Sequence, residues 1–282
     1  MAPIPPLFVV QIPLSPPTAN VQVKGSFICT SPSPKVYLLT FSSPPDNRLT
    51  PDFNEAFLLA LDIIEARFPK GVVITTSSIE KFYSNGLDYE SAIKDPKFWS
   101  RSIYPLWKRL LTFPMPTVAL INGHAFAGGL MTAMMHDYRI MNPHKGFVCL
   151  NELDFGAPLR PAMASIFKVK IPNMTTIRGM VLESRRYPAL QALKEGIIDG
   201  VGGGNEALSF INEMQLVQKA QSKSYGLLKE ELYKSAVKDL EETLESFMAE
   251  GSKVEERSKE VQGRRKRVDD WEKMTGRQVS KL

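Results

Sequence analysis

β-Branched and aromatic residues crowd together at Val36-Tyr37-Leu38-Leu39-Thr40-Phe41 and give way to Ser42-Ser43-Pro44-Pro45-Asp46-Asn47, the pattern of a strand closed by a turn. Thr50-Pro51 then reads as a helix start, with Thr as N-cap and Pro in the first turn. Phe53, Ala56, Phe57, Ala60, Leu61 and Ile64 follow at helical spacing, so this helix buries one stripe. A second strand is expected at Val72-Val73-Ile74-Thr75-Thr76, ahead of the turn Ser84-Asn85-Gly86-Leu87-Asp88. An aromatic-rich helical stretch through Phe98, Tyr104, Trp107 and Leu110 leads to a third strand, Thr117–Ile121. Asn122 to Gly129 then runs into a small apolar helix, Leu130 to His136, and short strands are expected at Tyr138–Met141 and Phe147–Leu150. Repeated alternation of strand and helix predicts an α/β fold with right-handed crossovers.

The two ends of the chain depart from this rhythm. Residues 1–34 hold eight of the 21 prolines and a single charged side chain, Lys24. Proline removes backbone donors, so an extended or poorly ordered arm is expected, with room for one short strand near Ser26–Cys29. From Glu206 the chain is charged and helical in pattern. The expected organisation is thus an arm over 1–34, a core over 35–205 and a helical region over 206–282.

Composition narrows the classes. Hydrophobic residues make up 43% and charged residues 23% of the 282, as in an ordinary globular chain rather than a disordered or coiled-coil one. Cys29 and Cys149 are the only cysteines, which excludes a disulfide framework or a Cys-rich zinc site and suits a reducing compartment. Leu110 to His136 lacks charge, but Pro114, Pro116, Gly123, Gly128 and Gly129 interrupt it, so buried interior is expected rather than a membrane span. No basic stretch precedes the N-terminal apolar residues, and no secretory signal is expected. The net charge is +5, yet residues 251–282 carry ten basic against six acidic side chains, so +4 of it lies there. Arg264-Arg265-Lys266-Arg267 sits among Glu260, Asp269 and Asp270, which reads as a solvated helical face rather than a nucleic-acid site.

Candidate chemistry starts with two glycine turns. Gly86-Leu87 and Gly128-Gly129 each follow a predicted strand, and each can turn a backbone N–H toward one point, the second at a helix N-terminus where free donors favour negative charge. Such a pair makes an oxyanion hole. Glycines at strand-to-helix turns are also ordinary, and glycines alone leave both readings open. His124, His136 and His144 lack metal-ligand spacing, so no metal is expected. Gly200 to Gly204 lacks phosphate-loop spacing, Asp88 reads as an orienting or capping residue, and Met131, Met134 and Met135 read as core filling.

Four ordered motifs carry a resemblance. Pro45-Asp46-Asn47-Arg48-Leu49-Thr50, Tyr83-Ser84-Asn85-Gly86-Leu87-Asp88, the run from Pro116 to Gly129, and Gly196-Ile197-Ile198-Asp199 resemble, over about residues 36–200, those of the crotonase (enoyl-CoA hydratase/isomerase) superfamily. The resemblance implies a spiral of short strand and helix repeats with a helical C-terminal region. It also implies that the Leu87 and Gly128 N–H groups hold the thioester oxygen of an acyl-CoA, with Ser84, Asn85, Gly86, Asp88, Phe126, Gly129 and Met131 around the substrate. Ala127 replaces a glycine of the family pattern. Family hydratases use two Glu; the first position is Met131 here and the second matches Glu152. Moving a double bond needs one base, whereas adding water needs groups that activate water and deliver a proton. A lone Glu152 therefore points to an enoyl-CoA isomerase, with Asp154 the second candidate base. A hydratase or dehydratase, or a non-catalytic acyl-CoA-binding or scaffold protein, are the alternatives.

Packing among Leu150, Leu153 and Phe155 is expected to raise the Glu152 pKa by desolvation. The acyl pocket is expected around Ile93–Leu111 and Ala157–Phe167. No cofactor is implied, since CoA belongs to the substrate. Homotrimers, or hexamers as dimers of trimers, are implied by the resemblance. Finally, Ser280-Lys281-Leu282 matches the C-terminal peroxisomal address read by an import receptor, in keeping with a role in β-oxidation or related acyl metabolism.

Overall fold

The structure, a computed structural model, describes residues 4–14, 22–95, 97–241 and 244–275. Ser280, Lys281 and Leu282 lie outside them. The chain divides into two compact units, 1–241 and 242–282.

In the first unit a seven-stranded sheet runs in the order β1 (Phe8–Ile12), β2 (Gly25–Ser33), β3 (Val36–Ser42), β4 (Val72–Ser77), β6 (Thr117–Ile121), β8 (Tyr138–Met141) and β10 (Gly200–Val201). Pairing is antiparallel from β1 to β3 and parallel from β3 onward. A second, all-parallel sheet holds β5 (Phe82–Ser84), β7 (His124–Phe126) and β9 (Val148–Cys149). Every residue of β4 and β6 is buried, as central strands covered on both faces require.

Alternation along the strands divides the interior. Val73 joins the main core with α1 (Pro51–Arg67), while Val72 and Ile74 face a smaller core closed by Ala207, Ile211 and Leu216. The helical spacing read from the sequence holds in α1: Phe53, Ala56, Phe57, Ala60, Leu61 and Ile64 are buried, and Thr50 Oγ1 accepts Phe53 N–H at 3.2 Å. Short helices α2 (Tyr89–Lys94) and α3 (Tyr104–Leu111) precede β6, and α4 (Gly128–Met134) follows β7. Beyond β9 come α5 (Glu152–Phe155), α6 (Pro161–Lys170), α7 (Met174–Leu182) and α8 (Ala189–Lys194).

The N-terminal arm needs correction: residues 8–12 and 25–33 are strands of the main sheet. Proline is tolerated at sheet edges and bulges, and the β2–β3 register shifts between Thr30 and Ser33, where Pro32 sits. Phe27, wholly buried, anchors the hairpin, with ring centroids 4.9 Å from Phe53 and 5.0 Å from Phe57. The expected core boundary at 205 also moves. Helices α9 (Gly204–Glu213), α10 (Leu216–Lys219), α11 (Tyr225–Leu232) and α12 (Lys234–Leu240) belong to the first unit, because Ala207, Ile211 and Leu216 cover the sheet. In α11, buried Lys229 reaches Asp137 with its Nζ at 2.9 Å.

The second unit is α13 (Leu244–Thr275), whose described side chains around Arg264-Arg265-Lys266-Arg267 are exposed. No helix among the described residues is long and apolar enough to cross a membrane. The uncharged stretch from Leu110 to His136 is interior, contributing β6, β7 and α4.

Candidate active site

The turn after β5 is built from the Pro-x-Asn motif. Asn47, wholly buried at φ 54°, accepts Ser43 N–H at 2.7 Å and donates to Ser77 Oγ at 2.7 Å and Tyr83 O at 3.1 Å. Asparagine tolerates the left-handed region because its short side chain bonds locally. Ser84 Oγ donates to Asn47 O (2.7 Å) and accepts Gly86 N–H (3.2 Å), so Ser84 braces the turn. Asn85 is tied to Asp46 through its amide at 2.6 Å. Gly86 sits at φ +92°, a conformation that favours glycine. Its carbonyl accepts Leu49 N–H at 2.9 Å. In a trans peptide C=O and N–H point to opposite sides. Leu87 N–H is therefore turned away from Leu49, and it donates to no acceptor among the described residues.

The second turn presents a matching donor. Ala127 O accepts Met131 N–H at 3.0 Å in the first bond of α4, which by the same peptide geometry turns Gly128 N–H out of the helix end. It too donates to no described acceptor. The two turns touch: a Cβ on Gly86 would lie 3.3 Å from Gly128 N, and one on Gly128 would lie 3.1 Å from Leu87 N. A Cβ on Gly129 would come within 2.4 Å of Ser84 O, so glycine there lets α4 rest on β5. Two free N–H groups side by side at a helix end are suited to a developing oxyanion.

The carboxylate stands on the loop that closes this region. Ala127 N–H donates to Cys149 O at 3.0 Å, which ties the loop after β9 to the second turn; Glu152 opens α5 three residues later. Across it, the Phe155 ring meets Tyr89, just past Leu87-Asp88, with centroids 5.8 Å apart. Glu152 is 7% exposed and its Oε2 has no hydrogen-bond partner among the described residues. Burial pushes its carboxyl up from 4.5 to about 7. Leu150 is buried beside it in sequence, but Leu153 and Phe155 are 55% and 48% exposed, so the apolar surroundings expected from those two are not what buries it. Asp154 is exposed.

Around these groups, Met131 is wholly buried, placing an apolar side chain within the first turn of α4, and Asp88 accepts Ser91 Oγ–H at 2.5 Å ahead of α2. The Phe126 ring meets His124 at a tilt of 37°, with centroids 4.7 Å apart. Arg48, given no role by sequence reasoning, donates to Asn85 O (3.1 Å) and Leu87 O (3.4 Å), bracing the first turn from outside. The two segments expected to border the acyl pocket do meet, with the Arg160 guanidinium 4.3 Å from the Trp99 ring centroid. A groove of about 640 Å³ opens elsewhere, between α6 and α7, and neither Leu87, Gly128 nor Glu152 lines it.

The family model for enoyl-CoA hydratase/isomerase matches residues 33–273. Enoyl-CoA delta isomerase 3 of Arabidopsis thaliana is 30% identical over 210 residues, covering 70% of this chain and 88% of the relative. The peroxisomal enoyl-CoA delta isomerase 2 of the same plant is 28% identical over 214 residues, with 73% and 88% covered. In fold, a probable enoyl-CoA hydratase of Mycobacterium tuberculosis H37Rv superposes with a TM-score of 0.69 at 18% identity, over 83% of this chain and 99% of that one.

Proposed function

The chain belongs to the enoyl-CoA hydratase/isomerase family, and from that premise we propose that it is an enoyl-CoA isomerase moving a double bond from C3 to C2 of an acyl-CoA thioester. One observation carries the reading: a single buried carboxyl, Glu152, raised to about 7, stands on the loop tied to the two free N–H donors, while the first helical turn beside those donors offers only apolar Met131. Glu152 takes a proton from C2, and the electron pair moves into a dienolate whose oxygen is held by Leu87 and Gly128 N–H. The same carboxyl returns the proton to C4, giving the 2-enoyl thioester with no net change in protons. The isomerase names of the Arabidopsis relatives support this choice over hydration. A peroxisomal location reached through an import receptor is supported by the peroxisomal name of one Arabidopsis relative and by the match of Ser280-Lys281-Leu282 to an import signal. A homotrimer or hexamer completes the proposal, and sedimentation tests it.

Purified protein is to be assayed with 3-enoyl-CoA and 2-enoyl-CoA in parallel. Double-bond migration without hydration is expected, lost by about 10²–10⁴-fold in Glu152→Gln. Hydration of 2-enoyl-CoA without migration identifies a hydratase instead, and binding without turnover a non-catalytic acyl-CoA protein.

A further inference from the structure

Behind the two donors runs a chain of buried polar groups that the proposed reaction does not use. Tyr83 Oη lies 2.9 Å from Thr75 Oγ1, Thr75 Oγ1 lies 2.9 Å from His136 Nε2, and His136 Nδ1 lies 3.0 Å from Thr132 O. Thr132 Oγ1 in turn donates to Gly128 O at 2.8 Å and accepts the Trp107 indole N–H at 2.8 Å. Tyr83, Thr75, His136, Thr132 and Trp107 are all 2% exposed or less.

The chemistry of each group sets the direction of this chain. A carbonyl only accepts, so His136 Nδ1 carries the proton. Burial holds His136 at about 3, against the bond to Thr132 and with the charges of Lys170, Lys229 and Arg139 adding to it, so the ring is neutral and Nε2 accepts. Thr75 must then donate to Nε2, and Tyr83 to Thr75. Burial also keeps the Tyr83 hydroxyl protonated. The Tyr83, Thr75 and His136 donors all point from β5 toward α4, which polarises these three bonds in the same sense.

Those ends matter because each leads to one donor. Tyr83 is in β5, four residues before Leu87; His136 stands two residues past α4, whose first residue is Gly128. Helix α4 is buried along its length, but its N-terminus starts on two glycines and lacks a side-chain cap. Replacing a whole set of hydrogen-bonded partners by apolar groups of the same shape can be nearly neutral in stability. Hydrogen bonds add direction.

We propose that Tyr83, Thr75 and His136 are positioning residues that set the separation of the Leu87 and Gly128 N–H groups. The inference rests on the reading of those groups as the oxyanion hole.

Its test compares Thr75→Val, Thr75→Ser and Tyr83→Phe with wild type in the full-length chain. One readout is isomerase turnover. The other is the carbonyl stretch of a bound, carbonyl-labelled saturated acyl-CoA, which reports hydrogen bonding at the thioester oxygen without any reaction. Thr75→Val and Tyr83→Phe are expected to lower kcat about tenfold with KM within about twofold, and to shrink the downshift of the bound carbonyl. Thr75→Ser, which keeps the hydroxyl, is expected to restore both. Variants with wild-type kcat and carbonyl shift, whatever their melting temperature, overturn the proposal. If wild type isomerises nothing but its bound carbonyl is downshifted and the shift shrinks in Thr75→Val, the reaction assignment fails and the positioning role stands. Should Tyr83→Phe not fold, the Thr75 pair decides alone.

Discussion

Burial of Glu152, with no partner for Oε2 among the described residues, has consequences for both activity and stability. In the proposed reaction the ionised form is the base, so kcat/KM for isomerisation is expected to rise about tenfold per pH unit and level off above about 7, where a stopped assay across pH 5–9 would locate the limb. Because the folded pKa lies above the usual 4.5, the folded chain holds a proton between those values that the unfolded chain has released. Stability therefore falls as pH rises from about 4.5 to about 7, by about 3 kcal/mol in all. At pH 8, Glu152→Gln is expected to resist urea better than wild type, with the difference shrinking as pH drops below 5; a constant difference would contradict it. Ala127 raises a separate point. It holds φ 48° and ψ −122°, where a Cβ is strained by about 1–3 kcal/mol, against roughly 0.5–1 for the added chain entropy of glycine. Ala127→Gly is expected to stabilise by about 1 kcal/mol, read from the denaturation midpoint. The motif showed that Ala replaces Gly here, but whether the backbone stayed in a glycine conformation depends on the bond to Cys149 O, 22 residues away.

Elements place the donors through close backbone contact rather than side-chain reach. In Gly129→Ala the new Cβ meets Ser84 O at 2.4 Å, so α4 must lift from β5. Overpacking of this kind costs about 1–3 kcal/mol, and a displacement near 1 Å in a catalytic group costs about 10²-fold in rate. Steady-state kinetics with circular dichroism melting checks both. The strand-helix alternation from Val36 to Met141 was legible because it rests on local spacing. The hairpin of β1 and β2 was not, since prolines mask the period and its strands gain their partners from β3 and α1. Phe27→Ala is expected to cost about 3–5 kcal/mol, as loss of a large buried ring does; a neutral result would return that segment to the status of an arm.

For the whole molecule, +4 of the +5 net charge and the proposed import signal Ser280-Lys281-Leu282 both fall in residues 251–282. Deleting Ser280-Lys281-Leu282 is expected to leave activity in extracts intact and to disperse an N-terminally tagged protein from peroxisomes into the cytosol, as seen by fluorescence microscopy. Punctate localisation after deletion would show another route. Motif order, the α/β rhythm, the two glycine turns and the single matching Glu were determined by the sequence, because each depends on residue type at short spacing. Three matters were decided only by the tertiary structure: that Leu87 and Gly128 N–H are neighbours unclaimed among the described residues, that Glu152 rather than exposed Asp154 is buried, and that Tyr83, Thr75 and His136 form one chain. Free donors, desolvation and buried hydrogen bonds all arise between segments tens of residues apart, and their geometry exists only once the chain has closed on itself.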